Sequence, residues 1–574
     1  RGHAFCSDGD TEVILKAYHA WGAQCVERLR GMFAFVIWDM RTRTLFLARD
    51  RFGIKPLHYA DHQGAFSFAS ELKAFLKLPE WDGTLDQGIL HETLTYINDQ
   101  ESTPFTLLPN VRRLPGGHFL TFSPASGVTV ERWWDTRAHI PAVPARLSEQ
   151  ARHYRELFYD ACRLRMRSDV TIGTSLSGGL DSSSVACVIS ELGQRGGSEH
   201  MPADWQQAFI ACFPGTNQDE EEFARAVVDH TGLKPHYYEM KTSRALQHID
   251  DVIYTFENIY WVPLVGPWLI YREMRNHGVR VSLDGHGADE QMAGYHFFIE
   301  AEIKHLLTTH FRLGRYLEMK RVLRGLAGGS VDNLRLGFRD DVEFMVRNLI
   351  EALRKSPATR PLGDLIQRIL RASRRSIQEV VNPAAGDYPL WVPFEGERRL
   401  YDDSQDRRYD DQTHMARELF IRTHDNILPT ILRQYDRASC AHGIEVRMPF
   451  MDWRLVTFCF GLPDTSKVGQ GFTKLILREA MRGVLPEPVR VRTNKIGFTS
   501  PLGKWLREDL REWALDIMAS RAFLESPFWC GPRMRTAFER RLPTNEDLHV
   551  FWPALNAHSL AERFRAEARI GVPA

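Results

Sequence analysis

The seven residues Ser177-Gly178-Gly179-Leu180-Asp181-Ser182-Ser183 restrict what this chain can build more than any other stretch. A strand-like run, Val170-Thr171-Ile172-Gly173-Thr174-Ser175-Leu176, leads into them. A helix-compatible run, Ser184-Val185-Ala186-Cys187-Val188-Ile189, leads out. Two glycines between strand and helix let the backbone come close to a ligand and let successive N–H groups point at one spot. The helix N-terminus adds partial positive charge, so an anion is the expected guest. Ser177, Ser182 and Ser183 supply hydroxyl donors. Asp181 would repel a phosphate directly, so its natural partner is a divalent cation that the phosphate shares. A Gly-Gly pair alone would be an ordinary capped turn; the seven residues in this place point to phosphate binding. The spacing is neither a Walker loop nor G-x-G-x-x-G.

A second loop, Asp284-Gly285-His286-Gly287-Ala288-Asp289-Glu290, follows another predicted strand over 279–283. Its glycines again allow close backbone approach. Asp289 is a second carboxylate at the same end of the sheet as Asp181, and two carboxylates with phosphate oxygens are a usual way to hold Mg²⁺. Taken alone, Asp289-Glu290 also reads as a helix cap. Lys474, in Gly471-Phe472-Thr473-Lys474-Leu475-Ile476, is a lone lysine among apolar residues and is read as helical.

The rest of the chain sets the frame. At 574 residues it is too long for one core. Lysine plus arginine equals aspartate plus glutamate, 73 each, so bulk charge draws it neither to nucleic acid nor to an anionic membrane. No apolar run reaches the roughly 18 residues of a membrane span. The cysteines are scattered without a C-x-x-C pair, which argues for reduced thiols in the cytoplasm and against a zinc site.

Residues 1–140 read as mixed α/β with antiparallel strands: a helix after Asp10-Thr11-Glu12, a buried strand over 33–38, and strands over 45–48, 66–69 and 118–122. A Pro/Ala linker covers 140–146. From 148 a helix, the phosphate loop, a strand over 208–213, a helix over 220–230 and the strand 279–283 alternate, which predicts a parallel sheet. Ligands then bind outside the carboxyl ends of its strands, where both loops lie. Beyond 300 the chain reads as helical, with a basic stretch over 312–324 and a charged run over 401–412 taken as a solvated loop.

The phosphate loop resembles the S-G-G-x-D-S loop of ATP pyrophosphatases. With Gly31-Met32-Phe33-Ala34-Phe35, Arg49-Asp50-Arg51-Phe52-Gly53-Ile54-Lys55-Pro56-Leu57, Ser67-Phe68-Ala69-Ser70-Glu71-Leu72-Lys73, Gly285–Tyr295, Glu445-Val446-Arg447-Met448-Pro449-Phe450-Met451-Asp452, and Lys474 with Arg478-Glu479, in a context that includes Lys495-Ile496-Gly497-Phe498, the chain resembles the glutamine-dependent asparagine synthetase family. The resemblance implies an N-terminal αββα glutamine amidotransferase sandwich over 1–140, docked on a parallel α/β ATP-pyrophosphatase-type domain over 148–574, with an ammonia channel between them. It implies that a carboxylate, most commonly aspartate, attacks the α-phosphate of ATP and that ammonia from glutamine displaces AMP. Leu176, Ser177, Gly178, Gly179, Asp181, Ser182, Ala211, Asp284 and Gly285 match nucleotide-site positions, Asp181 and Asp289 would hold Mg²⁺, and Lys474 would neutralise the departing pyrophosphate. Asp10 matches the carboxylate that binds the glutamine α-amine. The implied partners are small molecules, with a homodimer as the oligomer to test.

Three departures shape the expectations. Residue 1 is arginine where the family has a nucleophilic cysteine, so the sequence is read as truncated upstream. His286 stands where asparagine synthetases have glutamate and β-lactam synthetases tyrosine; histidine is a base near neutral pH. Val262-Pro263-Leu264-Val265-Gly266 holds no cation where some asparagine synthetases have an arginine for the aspartate α-carboxylate. Two other functions stay open: a ring-closing amide ligase of the β-lactam or lasso-peptide kind, and a non-catalytic nucleotide-binding regulator.

Overall fold

The computed structural model describes residues 4–62, 64–196, 207–216, 218–308, 312–327, 390–497, 501–544 and 547–571. Phe498 and most of the 300–400 region lie outside them. Among the described residues no helix is long and apolar enough to cross a membrane.

Seven strands fill the first 132 residues: β1 (Ala34–Asp39), β2 (Thr44–Arg49), β3 (His58–His62), β4 (Ala65–Ala69), β5 (Arg112–Arg113), β6 (His118–Ser123) and β7 (Gly127–Arg132). They form two antiparallel sheets, ordered β1-β2-β6-β7 and β4-β3-β5. Alternation sorts their side chains. Leu47 and Leu120 point to one face and meet Leu57, Leu114, Tyr59 and Phe66. Phe46 and Ala48 point to the other and meet Ala17 of the helix Asp10–Trp21. One helix layer and two sheet layers follow from that alternation. The predicted buried strand over 33–38 is corrected: β1 is an edge strand, and Trp38 is 49% exposed.

A further sheet is parallel throughout, ordered β10-β9-β8-β11-β12, with β8 (Ile172–Ser175), β9 (Gln207–Cys212), β10 (Lys234–Glu239), β11 (Val281–Leu283) and β12 (Glu445–Arg447). The inner strands are buried on both faces because helices cover both. The helices Leu147–Arg165 and Leu180–Gln194 pack one core with Phe158, Val185 and Ile210. The helices Val265–Asn276 and Ile427–Cys440 lie in another with Phe209, Leu269 and Leu432. Two strands escape the sequence pattern. β10 alternates polar and half-buried residues as an edge, and β12 arrives some 160 residues after β11 to pair with it.

The charged run over 401–412 is only in part a solvated loop. Asp406 and Tyr409 are buried, Tyr401 donates to Asp406 at 2.7 Å, and Arg408 bridges Asp406 (2.7 Å) and Asp425 (2.8 Å). Its charges neutralise one another, which lets the segment pack.

Candidate active site

At the carboxyl end of β8 the chain turns into the helix Leu180–Gln194. Leu176 is buried in the core and its N–H donates to Phe209 at 2.9 Å. Gly178 has φ +81°, and a Cβ there would lie 2.5 Å from the Ala224 nitrogen. This glycine admits the helix Glu221–Thr231 rather than a ligand. The loop also satisfies part of itself: the Ser177 N–H donates to the Ser182 hydroxyl (3.2 Å) and the Gly179 N–H to the Ser177 hydroxyl (3.2 Å). Ser177, Gly179, Asp181 and Ser182 line a cavity with Lys474 and Lys495. Leu176, Gly178 and Ala211 support the strand ends behind it.

The loop after β11 rests directly on this one. A Cβ on Gly285 would lie 2.7 Å from the Ser182 nitrogen, so only glycine permits the contact. Lys474 Nζ lies 2.5 Å from Asp181 Oδ2 and 2.6 Å from Asp289 Oδ1. Lys495 Nζ lies 2.9 Å from Asp289 Oδ2. The carboxylates of the two loops therefore share one ammonium. Lys474 is not within a helix, as the sequence suggested. It is the left-handed residue (φ +52°) before the helix Leu475–Ala480, and its side chain is 4% exposed. Arg478 braces that turn, donating to the carbonyls of Thr473 (2.9 Å) and Arg490 (2.5 Å).

Burial and charge order the two carboxylates differently. Burial would raise both. At Asp289 the ammonium groups of Lys474 and Lys495 outweigh it and hold the carboxyl well below its ordinary value. Asp181 has only a share of Lys474, burial prevails, and its pKa is raised. Asp181 Oδ1 is buried with no hydrogen-bond partner among the described residues. An unpartnered carboxylate oxygen beside a second carboxylate is a donor set suited to a hard divalent cation. Among the described residues no three His, Cys, Asp or Glu side chains are placed to hold a metal ion together, so such a cation would complete its shell with phosphate and water oxygens.

A second part of the same region is lined by Asp284, His286, Glu290, Tyr435, Val262 and Leu264. The Asp284 carboxylate is fully engaged by the Ser175 N–H (3.2 Å), the Ser282 hydroxyl (2.6 Å) and the Tyr271 hydroxyl (2.6 Å). It fixes β8 to β11. The His286 ring packs on Tyr435, centroids 3.7 Å apart, and burial lowers its pKa against the pull of Asp284 and Asp289. Glu290 accepts from Tyr295 at 2.6 Å, and burial with the Asp289 charge raises it to about 7.

Asp10 lies elsewhere. It opens its helix at an exposed position and lines a cavity with Arg30, Gly31, Arg51, Asp452 and Trp453. Glu12 ties down the preceding segment, accepting from the Cys6 (3.0 Å) and Ser7 (2.7 Å) N–H groups. The helix Ile427–Cys440 ties the His286 region to the N-terminal layers. Its Ile431, Gln434 and Tyr435 line the His286 cavity. Its Arg433 meets Glu101 (2.6 Å), Arg437 meets Glu71 (2.8 Å), and Asp436 meets Lys55 (2.9 Å) from the antiparallel layers.

Residues 153–560 match the family described as asparagine synthase, and residues 1–134 match a glutamine amidotransferase domain. The chain belongs to the asparagine synthase family. It is 27% identical over 520 residues to asparagine synthetase [glutamine-hydrolyzing] 1 of Bacillus subtilis, covering 90% of this chain and 75% of that protein. It is 30% identical to a putative asparagine synthetase [glutamine-hydrolyzing] of Mycobacterium bovis, over 90% of this chain and 74% of the relative. It is also 25% identical to amidase chry2 of Gibberella zeae, over 87% and 74%. Members of this carbon–nitrogen ligase family use ATP, and this chain carries the family's glutamine amidotransferase domain ahead of its synthase region.

Sequence reasoning passed over Lys495, Glu290, Tyr435 and Arg478 as members of the site. A signal existed for Lys495, a lysine two residues before Gly497 in an otherwise polar loop. None existed for Tyr435, because a tyrosine on an amphipathic helix looks like core.

Proposed function

We propose that this protein activates an aspartyl-type carboxylate as an acyl-adenylate and amidates it with ammonia drawn from glutamine. Free aspartate, giving asparagine, is the simplest acceptor of that type. The reading divides the chain into a glutaminase-like αββα unit over 1–140 and an ATP-binding unit over 148–574. The observation that carries it is the buried Lys474 ammonium between Asp181 and Asp289, 2.5 and 2.6 Å away, beside the phosphate loop.

The acceptor carboxylate oxygen attacks the α-phosphorus, and the bond to the β-phosphate oxygen breaks. Ser177, Gly179 and Ser182 face the departing pyrophosphate, and Lys474 and Lys495 supply fixed positive charge where negative charge builds. A Mg²⁺ ion held by Asp181 and Asp289 would supply further charge neutralisation to the phosphates. Ammonia then adds to the acyl carbon, the carbon–oxygen bond to AMP breaks, and a proton leaves the nitrogen. His286, kept neutral by burial, is the base assigned to that proton. Asp10 is assigned to the glutamine α-amine, and the helix Ile427–Cys440 is the wall that ammonia passes. The setting read from the sequence, a cytoplasmic enzyme of small molecules, belongs to this proposal.

The test supplies ATP, ammonium and a panel of aspartyl carboxylates. Pyrophosphate, AMP and amide should form in equal amounts. ADP and phosphate in their place, or amide without pyrophosphate, would sink the reading.

A further inference from the structure

The lining around His286 describes the acceptor itself. Its walls beyond the phosphate loop are Val262, Leu264 and Ile431, with the Gln434 amide and the Tyr435 ring between them. Val262 and Leu264 come from the turn into the helix Val265–Asn276, and Ile431, Gln434 and Tyr435 from the helix Ile427–Cys440. Two fixed helices therefore build this surface. The charged groups on the same lining are Asp181, Asp284, Asp289 and Glu290 against Lys495, and Lys495 is already held by Asp289 at 2.9 Å.

Free aspartate would bring an α-ammonium, which the acidic lining suits, and two carboxylates. One reacts at the α-phosphate. The other would lie against apolar side chains and among acidic ones; among the described residues of the lining the one lysine is already paired, and a buried anion without a cation of its own is strongly disfavoured. An uncharged amide in the same place meets a wall it suits: apolar side chains for its carbon skeleton and Gln434 for its N–H and carbonyl groups.

Building on the adenylation reading above, we propose that the acceptor is an aspartyl-type acid flanked by uncharged amides, as an acidic side chain inside a peptide is, and that free aspartate is a poor substrate. Specificity then lies in the surface formed by Val262, Leu264 and Gln434. This places the enzyme after a reaction that has already put both the amine and the α-carboxyl of the acceptor into amide bonds.

The experiment measures pyrophosphate release by the full chain with ATP and ammonium, using L-aspartate or N-acetyl-L-aspartic acid α-amide. The two probes share the reacting carboxyl, and the second carries uncharged amides where the first carries an ammonium and a carboxylate. The masked acid should show a kcat/KM at least about tenfold higher, a difference of about 1.4 kcal/mol. Equal or better use of L-aspartate overturns the inference and leaves the adenylation reading intact. No pyrophosphate from either acid overturns that reading and this inference with it. Val262→Arg then tests the wall: it should move the ratio toward L-aspartate, and a variant that merely folds poorly lowers both rates together. A ratio unmoved, or moved toward the masked acid, removes the wall from acceptor recognition.

Discussion

Two buried aspartates of this molecule are held in opposite ways. Asp50, in the turn after β2, accepts four backbone N–H bonds, from Phe33, Phe52, Ile54 and Lys55, at 3.0–3.2 Å. Neighbouring Arg49 donates to the carbonyls of Lys55, Leu114 and Gly53. Every partner is main chain, so nothing there can move without breaking the turn. Asp181 has a lysine side chain for its partner and keeps one oxygen unpartnered. Charge tied to backbone is architecture; charge paired with a side chain, and left partly unsatisfied, can exchange its partner for a ligand. The turn around Asp50 serves the site at one remove, because it holds Lys55 against Asp436 on the helix that lines the acceptor cavity.

The sharpest way to break this contrast is to remove each aspartate. Asp181→Ala should lower pyrophosphate release by about 10³-fold, the scale of losing a fixed electrostatic contact at the reacting phosphates. Its melting temperature should change little, since Lys474 keeps Asp289. Near-normal activity would end the phosphate-site reading. Asp50→Ala should do the reverse: about 3 kcal/mol less stable in urea titration, because it strands buried N–H groups, with a near-normal rate per folded molecule. A stable but inactive Asp50→Ala would erase the distinction. Gly178→Ala sharpens it, combining a left-handed φ with a collision against the next helix. It should cost more than about 1 kcal/mol of stability, and an unchanged urea midpoint would show the helix yields there.

The His286 prediction concerns pH. Burial favours the neutral ring, so protonation occurs below the ordinary value of about 6.5. At a fixed concentration of free ammonia, the amidation rate should stay level as pH falls through about 6.5 and decline only below it, and His286→Gln should lose that acid limb. An acid limb that survives the substitution assigns it to another group. The smallest effect belongs to the exposed carboxylate: Asp10→Asn should leave the ammonium-driven rate within about twofold, since it lies outside both cavities at the strand ends. A larger loss would place Asp10 in the adenylation step.

Much of the fold was legible because its signals are local. Alternating apolar residues predicted β2, β4 and β6 to within about two residues, and the helix read after Asp10-Thr11-Glu12 exists but starts at Asp10, with those residues in its first turn. The alternating order from residue 148 predicted the parallel sheet. What local pattern missed were elements that exist only through a distant partner. β12 is three residues long and is a strand because β11 lies beside it. The 401–412 run has the composition of a solvated loop, and Asp425 makes it in part a packed one. Gly178 was read as making room for a ligand, and its nearest neighbour is the helix Glu221–Thr231.

By itself the sequence determined that a strand, a glycine turn and a helix would present Asp181 at the carboxyl end of a sheet, and that Asp289 would follow a second strand at that same end. Those outcomes need only each residue's own backbone preference and the pattern of its immediate neighbours. The tertiary structure alone decided that Lys474, 293 residues from Asp181, would lie between the two carboxylates. A buried ammonium is tolerable only where opposite charges already converge, and that convergence exists only once the sheet has assembled.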